Sequence, residues 1–128
     1  MLNLLLVGSG GFVGSILRYL IGLGTHALLR NIAFPYGTLT ANILGCFFIG
    51  FLSSIAVERA IFSAQTRLFL FTGILGGFTT FSTFSLDTFN IIRQHDAPAL
   101  ALGLVHIFAH VFIGLAAVYL GYWLARFL

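Results

Sequence analysis

Residues 73–85, Gly-Ile-Leu-Gly-Gly-Phe-Thr-Thr-Phe-Ser-Thr-Phe-Ser, set a glycine pair and a run of hydroxyls and phenylalanines inside an apolar segment of membrane-crossing length. Hydrocarbon cannot satisfy a free N–H or C=O, so a break-prone sequence at that depth is tolerated only where protein or a water-filled path covers it. The chemistry that fits is the passage of an ion. Unwinding after Gly76-Gly77, near Thr79 and Thr80, would leave carbonyls of the first half-helix and N–H groups of the second without partners. Unwound carbonyls at mid-membrane suit a hard monovalent cation, and a half-helix N-terminus favours an anion. Beyond that point Phe78, Phe81 and Phe84 recur every third residue. Such a stripe is ordinarily core or lipid contact. Phenyl rings also carry positive edges, so paired edges can face a small anion without presenting a full charge that would hold it too tightly. Hydroxyls and an amide such as Asn42 can donate hydrogen bonds along the same path.

These residues need helices to carry them across a bilayer, and the composition supplies the material. Hydrophobic residues make up 59% of the 128, and only 7% are charged, against about 25% in soluble domains. Too little polar surface remains to cover a soluble core, so the chain reads as an all-α, multi-pass membrane protein. Spans at approximately 2–23, 37–57, 67–92 and 98–127 are each long enough for a bilayer. The connections are short, which predicts one transmembrane domain over 1–128. Leu2 to Val7 runs straight into a span with no basic stretch ahead of it, so no cleavable signal is expected. Cys46, the single cysteine, lies inside the second span, where packing is its expected role.

The charges speak to topology. With four crossings, Arg59, Arg67 and Arg126 fall on one side and Arg18, Arg30 and Arg93 on the other. Arginine bias orients polytopic proteins, and a balanced count predicts insertion both ways up. Six scattered arginines without a lysine form no basic patch, so a nucleic-acid partner is not expected. In the first span Gly10/Gly14 and Gly11/Ser15 repeat at the spacing that lets helix backbones approach closely. Asp96 before Pro98 suits the start of the fourth span. That span holds His106 and His110, one turn apart, with Gly103 and Gly114.

Gly76-Gly-Phe-Thr-Thr-Phe-Ser-Thr-Phe-Ser85, Gly10-Gly11-Phe-Val-Gly14 with Arg18-Tyr19, and Pro35-Tyr-Gly37-Thr38-Leu39-Thr-Ala-Asn42 with Gly45 and Gly50 together resemble the CrcB/Fluc family of fluoride channels. The resemblance covers nearly the whole chain. It implies four transmembrane helices, the third broken at its centre, in an antiparallel, dual-topology homodimer with two pores in the inner (plasma) membrane. It implies a structural sodium ion, Na+, on the dimer axis, held by the backbone carbonyls of Gly76 and Thr79 from each subunit. Phe81 and Phe84 correspond to the family's pore phenylalanines, Asn42 to the pore-facing amide of the second span, and Ser82 and Thr83 to the hydroxyls of the same region. Arg18 matches the first-span arginine, which either attracts anions at a vestibule or extends towards headgroups.

Three positions depart from the family pattern. His110 and Gly114 stand where small hydroxyl side chains are usual on the fourth span. His110 can itself donate a hydrogen bond from neutral imidazole, or His106 and His110 can make interhelical hydrogen bonds. No cysteine or carboxylate accompanies them in that span, which argues against zinc. Asp87 replaces the usual glutamate and is the only carboxylate well inside a span, a position that is functional by default.

The resemblance implies a passive, fluoride-selective channel that exports cytoplasmic fluoride down its electrochemical gradient and so lowers its toxicity. The alternative is a small four-span, proton-coupled exporter of organic cations, in which Asp87 would exchange protons for cargo. A non-transporting membrane scaffold built on the glycine faces is a further reading. No nucleophile, base and stabiliser combine outside the spans, so no enzyme is expected.

Overall fold

The computed structural model describes residues 1–29, 34–94 and 97–128, and among them there is no β-strand. Four stretches are long and apolar enough to cross a membrane: Leu2–Leu28, Tyr36–Glu58, Ala64–Ile92 and Pro98–Ala125. The all-helical, four-span layout expected from composition is what the chain forms.

The first helix, α1 (Leu2–Leu28), continues beyond the expected residue 23. Thr25 does not end it, because its hydroxyl folds back on the helix, with the Ile21 and Gly22 carbonyls both 2.9 Å away. The second helix, α2 (Tyr36–Glu58), starts directly after Pro35, which has no N–H to lose. The third span opens at α3 (Ala64–Arg67), earlier than the expected 67, because the Ser63 hydroxyl accepts the Thr66 N–H at 3.1 Å and caps the turn. It widens into a π-helical stretch, Leu68–Leu75, and closes in α4 (Gly76–Phe78). Thr79 and Thr80 then take extended dihedrals, and helix resumes as α5 (Phe81–Ile92). The fourth span runs through α6 (Ala97–Phe108), a second π-helical stretch, Ala109–Ile113, and α7 (Gly114–Ala125), stopping short of the expected 127. Asp96, the expected cap, lies outside the described residues, as does Arg30.

Packing follows membrane rules, in which small residues face inward and large ones face out. Gly10 and Gly14 of α1 are buried, whereas Phe12 on the same helix is 69% exposed. A Cβ on Gly77 would come 2.6 Å from the Gly11 carbonyl oxygen, and one on Gly14 would collide with the Ile74 carbonyl. The small-residue face of α1 therefore seats the first half of the third span, backbone against backbone. Between α2 and α7 the same device recurs, with Gly50 against the Val118 carbonyl and Gly121 against the Phe47 carbonyl. Glu58 and Arg126 meet at 3.5 Å, which brings the C-terminal ends of α2 and α7 to one side.

Candidate ion-conduction site

The site is built where the third span stops being helical. An uninterrupted helix would send the Thr80 N–H to the Gly76 carbonyl and the Thr83 N–H to the Thr79 carbonyl. Here the Thr80 N–H donates to Asn42 Oδ1 at 2.8 Å, and Asn42 Nδ2 donates back to the Thr80 carbonyl at 3.1 Å. The Thr83 N–H donates to Thr80 Oγ1 at 3.3 Å, making Thr80 the N-cap of α5. One amide on α2 thus replaces the helix hydrogen bonds of an extended residue, which is what allows the interruption at membrane depth. The Gly76 and Thr79 carbonyls lose their helical donors in the exchange, and Gly76 is exposed. Thr79 keeps the preceding turn closed, with its N–H and hydroxyl both 3.0 Å from the Leu75 carbonyl.

Two cavities meet at Thr80. One, of about 400 Å³, is lined by Asn42, Cys46, Thr79, Thr80, Phe81, Phe84 and His110 among others. The other, of about 480 Å³, is lined by Arg18, Thr38, Thr80, Thr83 and Asp87 among others. The second has the makings of a charged vestibule. The Thr38 hydroxyl donates to Asp87 Oδ2 at 2.6 Å, tying α2 to α5, while the half-buried Arg18 brings a cation to the same space. The first is an aromatic chamber. Phe81 and Phe84 sit 5.5 Å apart between ring centroids, tilted by 48°. Phe81 is 80% exposed on the single chain, a large ring left uncovered beside the interruption.

The structure therefore sorts the residues singled out in the sequence. Asn42, Phe81, Phe84 and His110 share the aromatic chamber with Gly76 and Thr79, and Arg18 and Thr83 share the vestibule with Asp87. Ser82 lies exposed at the start of α5, its hydroxyl 3.3 Å from Thr80 Oγ1. Asn42 has a structural duty that the sequence did not announce, yet one of its two amide protons is not used by Thr80.

His110 differs from the expectation of a neutral donor into the path. Its Nδ1 pairs at 3.0 Å with the His106 carbonyl, which can only accept, so the single N–H of neutral imidazole is already spent. His106 does bridge helices, with Nδ1 2.8 Å from Thr88 Oγ1 on α5. Thr88 escaped sequence reading. Its signal was position, one turn beyond Phe84, but hydroxyls facing their own helix look identical in sequence to hydroxyls facing a neighbour. The two π-helical stretches were also illegible. They supply Phe71 and Leu75 on one wall of the aromatic chamber and His110 and Val111 on another, as such widenings often do at functional sites.

A four-span protein with an interruption held open beside an aromatic chamber and a charged vestibule has the build of an ion-conducting membrane protein. The chain belongs to the CrcB family: residues 5–122 match the family described as CrcB-like protein, Camphor Resistance (CrcB). It is 44% identical over 126 residues to "Fluoride-specific ion channel FluC" of Agrobacterium fabrum, covering 98% of both chains. Proteins of the same name from Chlorobium chlorochromatii, at 41% identity over 98% of this chain and 94% of that one, and from Clostridium perfringens, at 44% over 97% and 94%, are similarly close. The family is one of channels, and no enzyme reaction is called for.

Proposed function

We infer that this chain is a fluoride-selective ion channel of the membrane, letting cytoplasmic fluoride leave passively down its electrochemical gradient and so limiting fluoride toxicity. The observation that carries the reading is near-full-length similarity to relatives named as fluoride-specific channels. The driving force needs no catalysis, since an inside-negative potential is worth about 2.3 kcal/mol per charge per 100 mV. Fluoride is tightly hydrated, so a selective path must replace its water with closely spaced donors and ring edges in a narrow passage. Arg18 would gather the anion at the vestibule; Thr83, Ser82, the spare Asn42 proton and the edges of Phe81 and Phe84 would pass it across the interruption.

The finer reading is an antiparallel, dual-topology homodimer in the inner membrane. Three features of this chain support it: the balanced arginines, the uncovered Phe81 ring, and carbonyls at Gly76 and Thr79 stripped of their helical donors. Those carbonyls are hard oxygen donors of the kind a sodium ion takes, and two subunits would supply four. Such an ion would neutralise carbonyl dipoles that neither lipid nor a single chain can satisfy.

The test is fluoride efflux from liposomes containing only this protein, with valinomycin to dissipate the potential, beside chloride controls and Phe81→Ile. Rapid fluoride release without comparable chloride release, impaired in the variant, is expected. Silence from folded protein would remove the channel reading. For the exporter alternative Asp87 would have to cycle its proton freely, but its carboxylate is held by Thr38.

A further inference from the structure

Of the two rings beyond the interruption, Phe84 is the more enclosed, and imidazoles make the wall beside it. His106 stacks on Phe84 with centroids 5.4 Å apart and planes 26° apart, and His110 lies 4.5 Å from the same ring. Stacked rings can still slide and turn. What anchors this wall is hydrogen bonding from α5. The Phe84 carbonyl can only accept, and it lies 2.8 Å from Thr88 Oγ1, so the hydroxyl proton of Thr88 points there. The Thr88 oxygen then accepts from His106 Nδ1–H, also at 2.8 Å. The reverse assignment would bury an Nε2 proton that has no acceptor among the described residues. Thr88 is thereby joined both to the backbone of Phe84 and to the imidazole that packs on the Phe84 side chain. Thr88 is 8% exposed and His106 0%, so water does not compete for the bond.

Histidine is a costly way to fill that space. His106 Nε2 is buried with no partner among the described residues, a loss that an apolar ring of similar size would not incur. Packing alone therefore does not account for His106. The property it has and a phenyl ring lacks is the Nδ1 donor that Thr88 accepts.

We propose that the Thr88–His106 hydrogen bond is a positioning device, which locks the imidazole against Phe84 and so holds the edge of the Phe84 ring towards fluoride. The inference rests on the fluoride-channel reading above and deepens it. Orientation matters because a phenyl ring is positive at its edge and negative on its face. A ring left free to turn would present its repelling face to the anion. Phe84 lines the aromatic chamber and His106 does not, so Thr88 and His106 are positioning residues that act through Phe84. His110 is fixed to the same support, with Nδ1 3.0 Å from the His106 carbonyl.

Unitary fluoride currents in planar bilayers test this, because misfolding lowers the number of channels and not the current through each one. Thr88→Val removes the acceptor and should cut the unitary current at least about threefold, near the low end of what a broken contact network is worth. Thr88→Ser keeps the hydroxyl and should stay near the natural current. Thr88→Val with His106→Phe replaces both partners by apolar groups, a change that can be nearly neutral for stability, and it keeps a ring beside Phe84. This double substitution should unfold close to the natural temperature and still carry the reduced current. A conducting natural chain matched by the double substitution overturns this inference alone, as does an undiminished unitary current in Thr88→Val or an equal loss in Thr88→Ser. No fluoride current from the folded natural chain would overturn the channel reading, and this inference with it.

Discussion

The third and fourth spans both widen into π-helix, and the third alone also stops being helical. At Thr79 and Thr80 the chain abandons helix, and the amide of Asn42 reaches in from α2 to take over the Thr80 N–H and carbonyl. At Ala109–Ile113 the helix only widens, and backbone bonding continues on either side of His110. The first device releases backbone polar groups, which can greet an ion. The second re-aims side chains, His110 among them. An interruption that exposes backbone needs an outside side chain to hold it, whereas a π-helical widening holds itself.

The sharpest way to break this contrast is to remove the outside support. Asn42→Leu leaves a Thr80 N–H and carbonyl unpaired, each costing about 1–3 kcal/mol when buried. Fluoride flux should fall by well over tenfold, with a lower unfolding temperature in detergent; Asn42→Asp, which keeps an acceptor for the Thr80 N–H, should be the milder lesion. If Asn42→Leu conducts normally, the interruption does not depend on α2.

Next come the two rings on the Phe side of the interruption. Phe84 is walled by His106, His110 and Phe81, whereas Phe81 stands 80% exposed. Phe81→Ile should therefore cut flux with little change in the thermal stability of the isolated subunit. Phe84→Ile should cut flux and also destabilise, by about 1–3 kcal/mol for altered packing, read as a shift in thermal unfolding. Equal stability losses in the two would mean that the exposed ring is covered in the working assembly.

A smaller effect is expected at the vestibule. Thr38→Val deletes the 2.6 Å bond to Asp87 and frees a carboxylate near an anion's path, so flux should drop several-fold; the lost bond, made to a charged group, contributes about 1.5–3 kcal/mol to stability. Removing the charge as well, in Thr38→Val with Asp87→Asn, should restore part of it. Smallest of all is Arg126→Ala, which breaks an exposed pair with Glu58, 60% and 41% accessible on the two side chains. Such a pair contributes about 0–1 kcal/mol, and both flux and unfolding temperature should stay within error of the natural chain.

Much of the site could be read directly from residue order. The glycine pair followed by threonines marked where the helix would stop, because glycine weakens a helix and threonine side chains can cap the one that follows. Residues 76–85 also placed Phe81 and Phe84 together, since three residues apart on a helix is always one side. The close seating of α1 was legible in Gly10 and Gly14, although the partner, Gly73 to Gly77, was not. What order could not tell was where each polar side chain would spend its hydrogen bonds. Asn42 looked like a pore donor, and the structure shows it supporting Thr80. His110 looked able to donate and proved to have given its N–H to the turn before it.

The sequence by itself determined the solvent and the plan: four apolar spans, few charges, a breakable third helix and a ring motif beyond it. Those properties follow from transfer free energies and from local backbone preferences, which depend on a residue and its near neighbours. Only the tertiary structure decided that Asn42 meets Thr80, that Thr38 meets Asp87, and that two histidines stand behind Phe84, each with one ring nitrogen that has no partner among the described residues. These are contacts between helices, settled by the angle and rotation at which helices pack. Each hydrogen-bonding atom takes whichever partner that packing brings within about 3 Å.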